Sequence, residues 1–279
     1  MSPQAAEGRA QHLESLRLLL EQVYGLTGYD FRDYALAAVG RRIAEFMRGE
    51  SLVTMEALRD LTLSDPKALA RLIDVLASRS SQLFRDPDFF AALVRDAAPL
   101  LRTYPSIKVW HVGCGTGEET YSLAIALRDG ELLERSLIYA TDLSASALRQ
   151  AREGSYPVGA LAGAAERFAE AGLRGRLADH CAIDGPLVTF SKTLKERMVF
   201  MEHSLATDGS LNEFHLVVCR DLIPQFNRTL QERVYGLIDA SLCPLGILAL
   251  GRQHTLGSSP LGLTLRPLGE SGCLYRLTP

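Results

Sequence analysis

The segment Val109-Trp110-His111-Val112-Gly113-Cys114-Gly115-Thr116-Gly117-Glu118-Glu119-Thr120-Tyr121-Ser122-Leu123-Ala124 constrains this chain more than any other. An apolar run breaks into a turn with glycine at every second position, and a helix follows. Glycine accepts left-handed backbone and lets a ligand approach the chain closely, while the first N–H groups of the helix have no partner within it. Such a turn is a nucleotide cradle in some chains and a purely steric joint between strand and helix in others.

The next apolar run, Leu137-Ile138-Tyr139-Ala140-Thr141, ends on Asp142, 27 residues beyond Gly115, about one strand-helix-strand unit further on. A carboxylate at the tip of a second strand can accept both hydroxyls of a ribose, so loop and acid together describe a Rossmann-like half-site for an adenosine-containing cofactor. The loop lacks G-x-x-x-x-G-K-[ST], and Glu118-Glu119 puts negative charge where a pyrophosphate needs none. That argues against NAD and ATP. S-adenosylmethionine, built on adenosine but cationic at its working end, suits an acidic loop.

Periodicity divides the chain near its first third. Ala10 to Val23, Asp33 to Arg48, Thr54 to Leu61 and Asp65 to Ser78 repeat apolar residues at helical spacing, with breaks at Gly25-Leu26-Thr27-Gly28 and Ser64-Asp65-Pro66. This predicts an all-α domain over 1–85. Asp65-Pro66 and Asp86-Pro87 both read as an N-cap followed by a first-turn proline, and the second opens a linker helix over 86–103. From 104 to 279 strands alternate with helices, the pattern of a mostly parallel sheet covered on both faces. Strands are expected at Lys108 to Val112, Leu137 to Thr141, Val199 to His203, Phe214 to Cys219 and Gly246 to Leu250, with the last ones between Gly262 and Arg276; helices are expected at Glu118 to Arg128, Ser144 to Glu153 and Arg228 to Leu242. Between Tyr156 and Met198 the pattern weakens.

Charge and cysteine content exclude several classes. Net charge is −3, and residues 1–85 hold equal numbers of basic and acidic side chains, so neither nucleic acid nor an anionic membrane is an expected partner. Arg41-Arg42 reads as a solvated helix face or a local contact point. The five cysteines are scattered without a C-x-x-C pair, and the histidines lack ligand spacing, which predicts reduced thiols and no metal. His203 and His215 read as satisfied core or strand-end histidines. No stretch reaches the roughly 18 apolar residues of a membrane span, and a cytoplasmic protein is the expectation.

Four segments resemble one family. Ser80-Ser81-Gln82-Leu83-Phe84-Arg85-Asp86-Pro87 is similar to "T-x-F-F-R-D", Gly113 to Ser122 to "G-C-S-T-G-E-E-x-Y-S", Ala140-Thr141-Asp142-Leu143 to "A-T-D-I", and Val218-Cys219-Arg220-Asp221-Leu222 to "x-C-R-N-V" with Phe226 beyond it. In order and spacing, from about Leu16 to the carboxyl terminus, they resemble the chemoreceptor glutamate methyltransferases of the CheR family. The resemblance implies a class I methyltransferase α/β fold, with a mostly parallel sheet of the seven-stranded type behind a small all-α domain. It also implies an antiparallel β subdomain inserted at 156–198, either docking a receptor peptide or capping the cofactor cleft. It implies S-adenosyl-L-methionine as cofactor, the cytoplasmic domain of a chemotaxis-type receptor as partner, and methyl transfer to receptor glutamates. By the same resemblance the cofactor-binding set is Ser81, Arg85, Gly113, Gly115, Glu119, Asp142, Ser204, Leu205, Asp221 and Leu222, and the acceptor-side catalytic positions are Arg85 and Gln225. From the residues alone, Arg85 could equally pair with Asp86 or Asp88.

Departures from the family pattern gather on the acceptor side. Arg79 stands for asparagine, Ser81 for threonine, Ser204 and Asp221 for asparagines, and Pro224-Gln225 for "I-Y". Asp221 exchanges an amide for a charge of the wrong sign for an anionic acceptor, and Gln225 loses a rigid phenol. Three functions follow: a receptor carboxyl methyltransferase with reduced turnover or a shifted acceptor, a catalytically weak cofactor-binding signalling module, or a methyltransferase for small carboxylates.

Overall fold

The structure is a computed structural model and describes residues 3–77, 82–252, 256 and 260–278. Four helices come first: α1 (Pro3–Thr27), α2 (Leu36–Gly49), α3 (Met55–Ser64) and α4 (Pro66–Ala77). Helix α1 runs through Gly25, where the sequence suggested a break, and stops at Gly28, whose φ of 77° lets its N–H return to the Tyr24 carbonyl at 2.8 Å. Thr54 caps α3 through the Ala57 N–H at 3.1 Å. Asp65 takes the Lys67 N–H at 2.8 Å ahead of Pro66, as its sequence predicts.

Asp86 corrects that same expectation. It stands before α5 (Pro87–Ala92) in a left-handed conformation and makes no side-chain cap bond, because its carboxylate is turned to Arg220. Helix α5 continues through a π-helical turn, Leu93–Ala97, into α6 (Ala98–Leu101).

The remainder holds β1 (Ile107–Val112), α7 (Glu118–Asp129), β2 (Ser136–Asp142), α8 (Ala145–Glu153), β3 (Ser155–Pro157), α9 (Ala164–Glu170), β4 (Cys181–Asp184), β5 (Leu187–Phe190), α10 (Lys192–Lys195), β6 (Met198–Glu202), β7 (Phe214–Cys219), α11 (Arg228–Ser241), β8 (Leu242–Leu250), β9 (Leu265–Pro267) and β10 (Leu274–Leu277). Seven strands form one sheet in the order β6-β2-β1-β7-β8-β10-β9, parallel through β8, while β10 runs antiparallel to both β8 and β9. Crossover helices on both faces bury β1 and β7 almost completely. Strand β8 starts four residues before the expected Gly246, with a register shift near Phe214 and a left-handed Leu245.

The weak stretch between Tyr156 and Met198 contains a separate antiparallel sheet, ordered β3-β5-β4. It packs on α7, where the Tyr121 and Phe190 rings stack at 4.4 Å between centroids. The four-helix layer shares one apolar core with the other side of the main sheet: Leu19, Ile43 and Leu72 belong to the same buried cluster as Trp110, Val217 and Val234. Among the described residues no helix is long and apolar enough to cross a membrane.

Candidate active site

The glycine loop gets its shape from three left-handed positions: Gly113 (φ 67°), Gly115 (φ 54°) and Gly117 (φ 97°). A Cβ at Gly117 would stand 2.8 Å from the Ala151 Cβ and 2.9 Å from the Tyr156 hydroxyl, so only glycine fits there. Tyr156 of β3 donates its hydroxyl to the Thr116 carbonyl at 2.7 Å, so the small sheet braces the loop from outside. Burial pushes the Tyr156 phenol upward in pKa and keeps it a neutral donor. Cys114 donates its N–H to the Thr141 carbonyl at 2.9 Å, pinning the loop across the tips of β1 and β2.

Asp142, at the end of β2, accepts the Gly115 N–H at 2.8 Å on one oxygen and the Ser144 N–H at 2.9 Å on the other. The carboxylate thus ties the glycine loop to the start of α8 at the tip of β2. Beside it, Val112, Gly113, Leu143, His203, Leu205 and Leu222 enclose a cavity of about 30 Å³. His203 accounts for one ring nitrogen through the Gly209 carbonyl at 2.9 Å; its buried Nδ1 has no partner among the described residues. A second opening of about 260 Å³ lies across Gly115, Thr116 and Ser144. Together they place a carboxylate, apolar walls and the buried His203 Nδ1 around the carboxyl ends of β1 and β2. Ser204 sits at the edge of this wall, its N–H donating to Asp208 at 2.9 Å. Ser81, and with it Arg79, lies outside the described residues.

Behind the loop is a charge cluster that sequence reasoning did not assemble. Arg220, whose side chain is 1% exposed, donates to Glu119 at 3.0 Å, to Asp86, and to the Arg85 carbonyl at 3.2 Å, and its guanidinium lies 4.2 Å over the Phe89 ring. Glu119 also meets His111 Nε2 at 3.3 Å, and His111 Nδ1 is held by the Thr120 hydroxyl at 2.8 Å. Glu119 is therefore engaged by the buried Arg220 and by His111. Burial raises the pKa of the neighbouring Glu118 carboxyl, partly opposed by the Thr116 hydroxyl at 2.6 Å.

Arg85 reaches Asp221, and lies 3.8 Å from Glu119. The partners left open by the sequence are occupied elsewhere: Asp86 by Arg220 and Asp88 by Arg252. Two left-handed non-glycine residues, Phe84 (φ 53°) and Asp86 (φ 56°), flank Arg85, and Asp221 is a third (φ 53°). Backbone of this kind persists only where its surroundings enforce it. Here the Ser122 hydroxyl takes the Phe84 N–H at 2.9 Å, and Arg167 holds the Leu83 carbonyl at 2.8 Å.

Gln225 donates to the Asp221 carbonyl at 3.0 Å and accepts from Arg42, which also donates to the Leu76 carbonyl. Arg42 is therefore not part of a solvated face; α2 turns it inward, onto the end of α4 and the loop after β7. Arg42, Arg85, Asp221 and Gln225 line a cleft of about 750 Å³ with Glu45, Phe46, Glu50, Arg71 and Val75 of the helical layer. Of the sequence-predicted residues, Gly113, Asp142, Leu205 and Leu222 line the small cavity, Gly115 the second opening, Arg85, Asp221 and Gln225 the cleft, and Glu119 belongs to the charge cluster.

The family model described as "CheR methyltransferase, SAM binding domain" matches residues 79–266, and "CheR methyltransferase, all-alpha domain" matches 14–77. The chain belongs to the CheR methyltransferase family. A protein named "Putative methyltransferase Cher3" from Pseudomonas putida is 40% identical, with 94% of this chain and 96% of that protein covered. "Chemotaxis protein methyltransferase Cher2" of the same organism is 25% identical over 88% of this chain and 91% of its own length. "Chemotaxis protein methyltransferase" of Listeria monocytogenes is 26% identical over 85% and 88%. As a CheR-family protein the chain is an S-adenosylmethionine-dependent methyltransferase, and the glycine loop held by Asp142 at the strand tips is of the kind that accepts a nucleoside-containing cofactor.

Proposed function

We propose that this CheR-family protein methylates glutamate side chains in the cytoplasmic domain of a chemotaxis-type receptor. The observation that carries this reading is the cleft between the helical layer and the loop after β7: it is large enough for a side chain on a helix and has Arg85 in its wall. In this reading Asp142 holds the ribose, Leu205, Leu222 and Ser204 border the adenine, and Gly113, Gly115 and Glu119 border the amino-acid end. Ser81 joins that set by its place in the motif. Arg85 orients the acceptor, and Gln225 acts in the tyrosine's place.

When bound, S-adenosylmethionine supplies an electrophilic methyl group on a sulfonium. A glutamate side chain, with an ordinary pKa of roughly 4.3, is already ionised at neutral pH, so its oxygen needs no general base. The acceptor oxygen would take the methyl group as its bond to sulfur is given up, and the protein's work would be alignment and exclusion of water. Arg85 is engaged by Asp221, and Gln225 is committed to Arg42 and the Asp221 carbonyl. Both contacts favour a lower turnover than the family pattern would give, and they also suit a second reading, a catalytically weak cofactor-binding signalling module.

Calorimetric titration with S-adenosylhomocysteine is the first test. One-to-one micromolar binding is expected in the wild type. Asp142→Ala should weaken it on the order of 100-fold or more, because charge-assisted hydrogen bonds contribute about 1.5–3 kcal/mol each. Base-labile methyl ester on a receptor fragment would then separate the two readings. Absence of homocysteine-adduct binding would refute both.

A further inference from the structure

The cleft is charge-balanced, and this matters for an acceptor that carries a charge. Its wall contains three guanidiniums, Arg42, Arg71 and Arg85, and three carboxylates, Glu45, Glu50 and Asp221, for a net of 3 − 3 = 0. Arg71 is engaged by Glu50 at 2.8 Å and Arg85 by Asp221.

Asp221 is held from several sides. Its left-handed backbone is tied by Gln225, itself anchored on Arg42 of the helical layer. One carboxylate oxygen lies against Gly251 at the end of β8, so close that a Cβ there would meet it at 2.0 Å; the other oxygen takes Arg85. The absence of a Cβ at Gly251 is what leaves room for the Asp221 carboxylate in this position. Arg85 reaches it on a longer, more flexible side chain, and the two side chains are 33% and 37% exposed, within reach of a molecule entering the cleft.

We propose that Asp221 is a built-in competitor for the acceptor carboxylate: it occupies Arg85 in the resting cleft, and an anionic acceptor binds by drawing Arg85 away from it. This inference rests on the carboxyl-methyltransferase reading above and adds a specificity-determining residue to it. Asp221 holds the Arg85 Nη2, and at that nitrogen the attraction an incoming glutamate gains is the attraction Asp221 loses. The wild-type cleft should then hardly distinguish a glutamate from a glutamine, and removing the Asp221 charge should restore the distinction. The strap from Arg42 through Gln225 makes the competitor a fixture of the cleft floor.

The test uses the full chain saturated with S-adenosylhomocysteine. The probes are a capped, alanine-based helical peptide carrying a central Glu-Glu pair and its Gln-Gln counterpart. Affinities for both are measured by calorimetry on wild type, Asp221→Asn and the double variant Asp221→Asn/Arg85→Ala, with thermal melts to establish that each is folded. The expected Glu-over-Gln preference is near one in the wild type. It rises to roughly two- to fivefold in Asp221→Asn, the scale of one partly exposed ion pair, and falls back to near one in the double variant. An unchanged preference in Asp221→Asn overturns the proposal, as does a gain that survives loss of Arg85. Failure of the wild type to bind S-adenosylhomocysteine would instead defeat the methyltransferase reading itself.

Discussion

Replacing Arg220 by methionine tests whether the buried charge cluster is a structural necessity. Methionine keeps the apolar contact with the Phe89 ring but strips the cation from Glu119 and Asp86. The Arg220 and Glu119 side chains are only 1% and 10% exposed, so water cannot replace the lost partner; Glu119 keeps only His111 at 3.3 Å and the more distant Arg85 at 3.8 Å, and removing one partner of a buried pair costs about 3–5 kcal/mol. In a chain of this size each kcal/mol moves the melting temperature by about 2–4 °C, which gives a drop of roughly 6–20 °C. The assay is thermal and urea unfolding of wild type, Arg220→Met, Glu119→Gln and the double variant. Because Glu119→Gln removes much of the stranded charge, the double variant should be at least about 1 kcal/mol more stable than the sum of the single losses implies. A melting drop under about 3 °C in Arg220→Met, or strict additivity, would refute the view that these charges are held in a dry interior.

Two further outcomes follow from named contacts. Gly117→Ala forces a Cβ into the Ala151 and Tyr156 side chains at a φ of 97°, so it should cost about 1–3 kcal/mol in unfolding experiments and weaken S-adenosylhomocysteine binding by calorimetry, by displacing the loop. His215 is held by burial below its ordinary pKa of 6.5 while its Nδ1 accepts the Lys108 N–H at 3.0 Å. The unfolded state then takes up the proton first as pH falls below about 6.5, so acid lowers stability in that window. His215→Asn should flatten the urea-midpoint profile between pH 7 and about 5.5, and an unaltered slope would show that His215 is not its source.

The sheet was legible because its signals are local. Each strand of the parallel half is an apolar run ending at a turn, and the left-handed glycines between β1 and α7 announce themselves as Gly113, Gly115 and Gly117. Spacing marked Asp142 as a candidate for a ribose; the structure adds a role that spacing did not predict, holding the loop through Gly115. What escaped is long-range pairing among charged side chains. Arg220 finds Glu119 and Asp86, 101 and 134 residues away, and no periodicity encodes such a meeting. Asp86-Pro87 carries a helix-start signal, but the partner that overrides it is a distant arginine. Arg42 reads as solvent-facing for the same reason: its acceptors, the Leu76 carbonyl and Gln225, come from other elements. His111 alternates with apolar neighbours as any strand residue would, and only the fold brings Glu119 to its ring.

The helices that face the cleft are also the roof of the sheet. Arg42 and Glu45 of α2 and Arg71 of α4 look into the cleft, while Val39, Ile43 and Leu72 on the same helices are packed in one core with Trp110 and Val217. The seam is stitched further by Asn227 donating to Asp33 at 2.8 Å and by the Tyr34 and Phe226 rings at 4.9 Å. A boundary between two sequence families is thus not a boundary in energy: helical layer and sheet should melt in one transition, and neither has its own complete interior. On the helical layer, the side chains that face the cleft can change one at a time, whereas any change that tilts α2 or α4 is also a change in the core beneath β1 and β7.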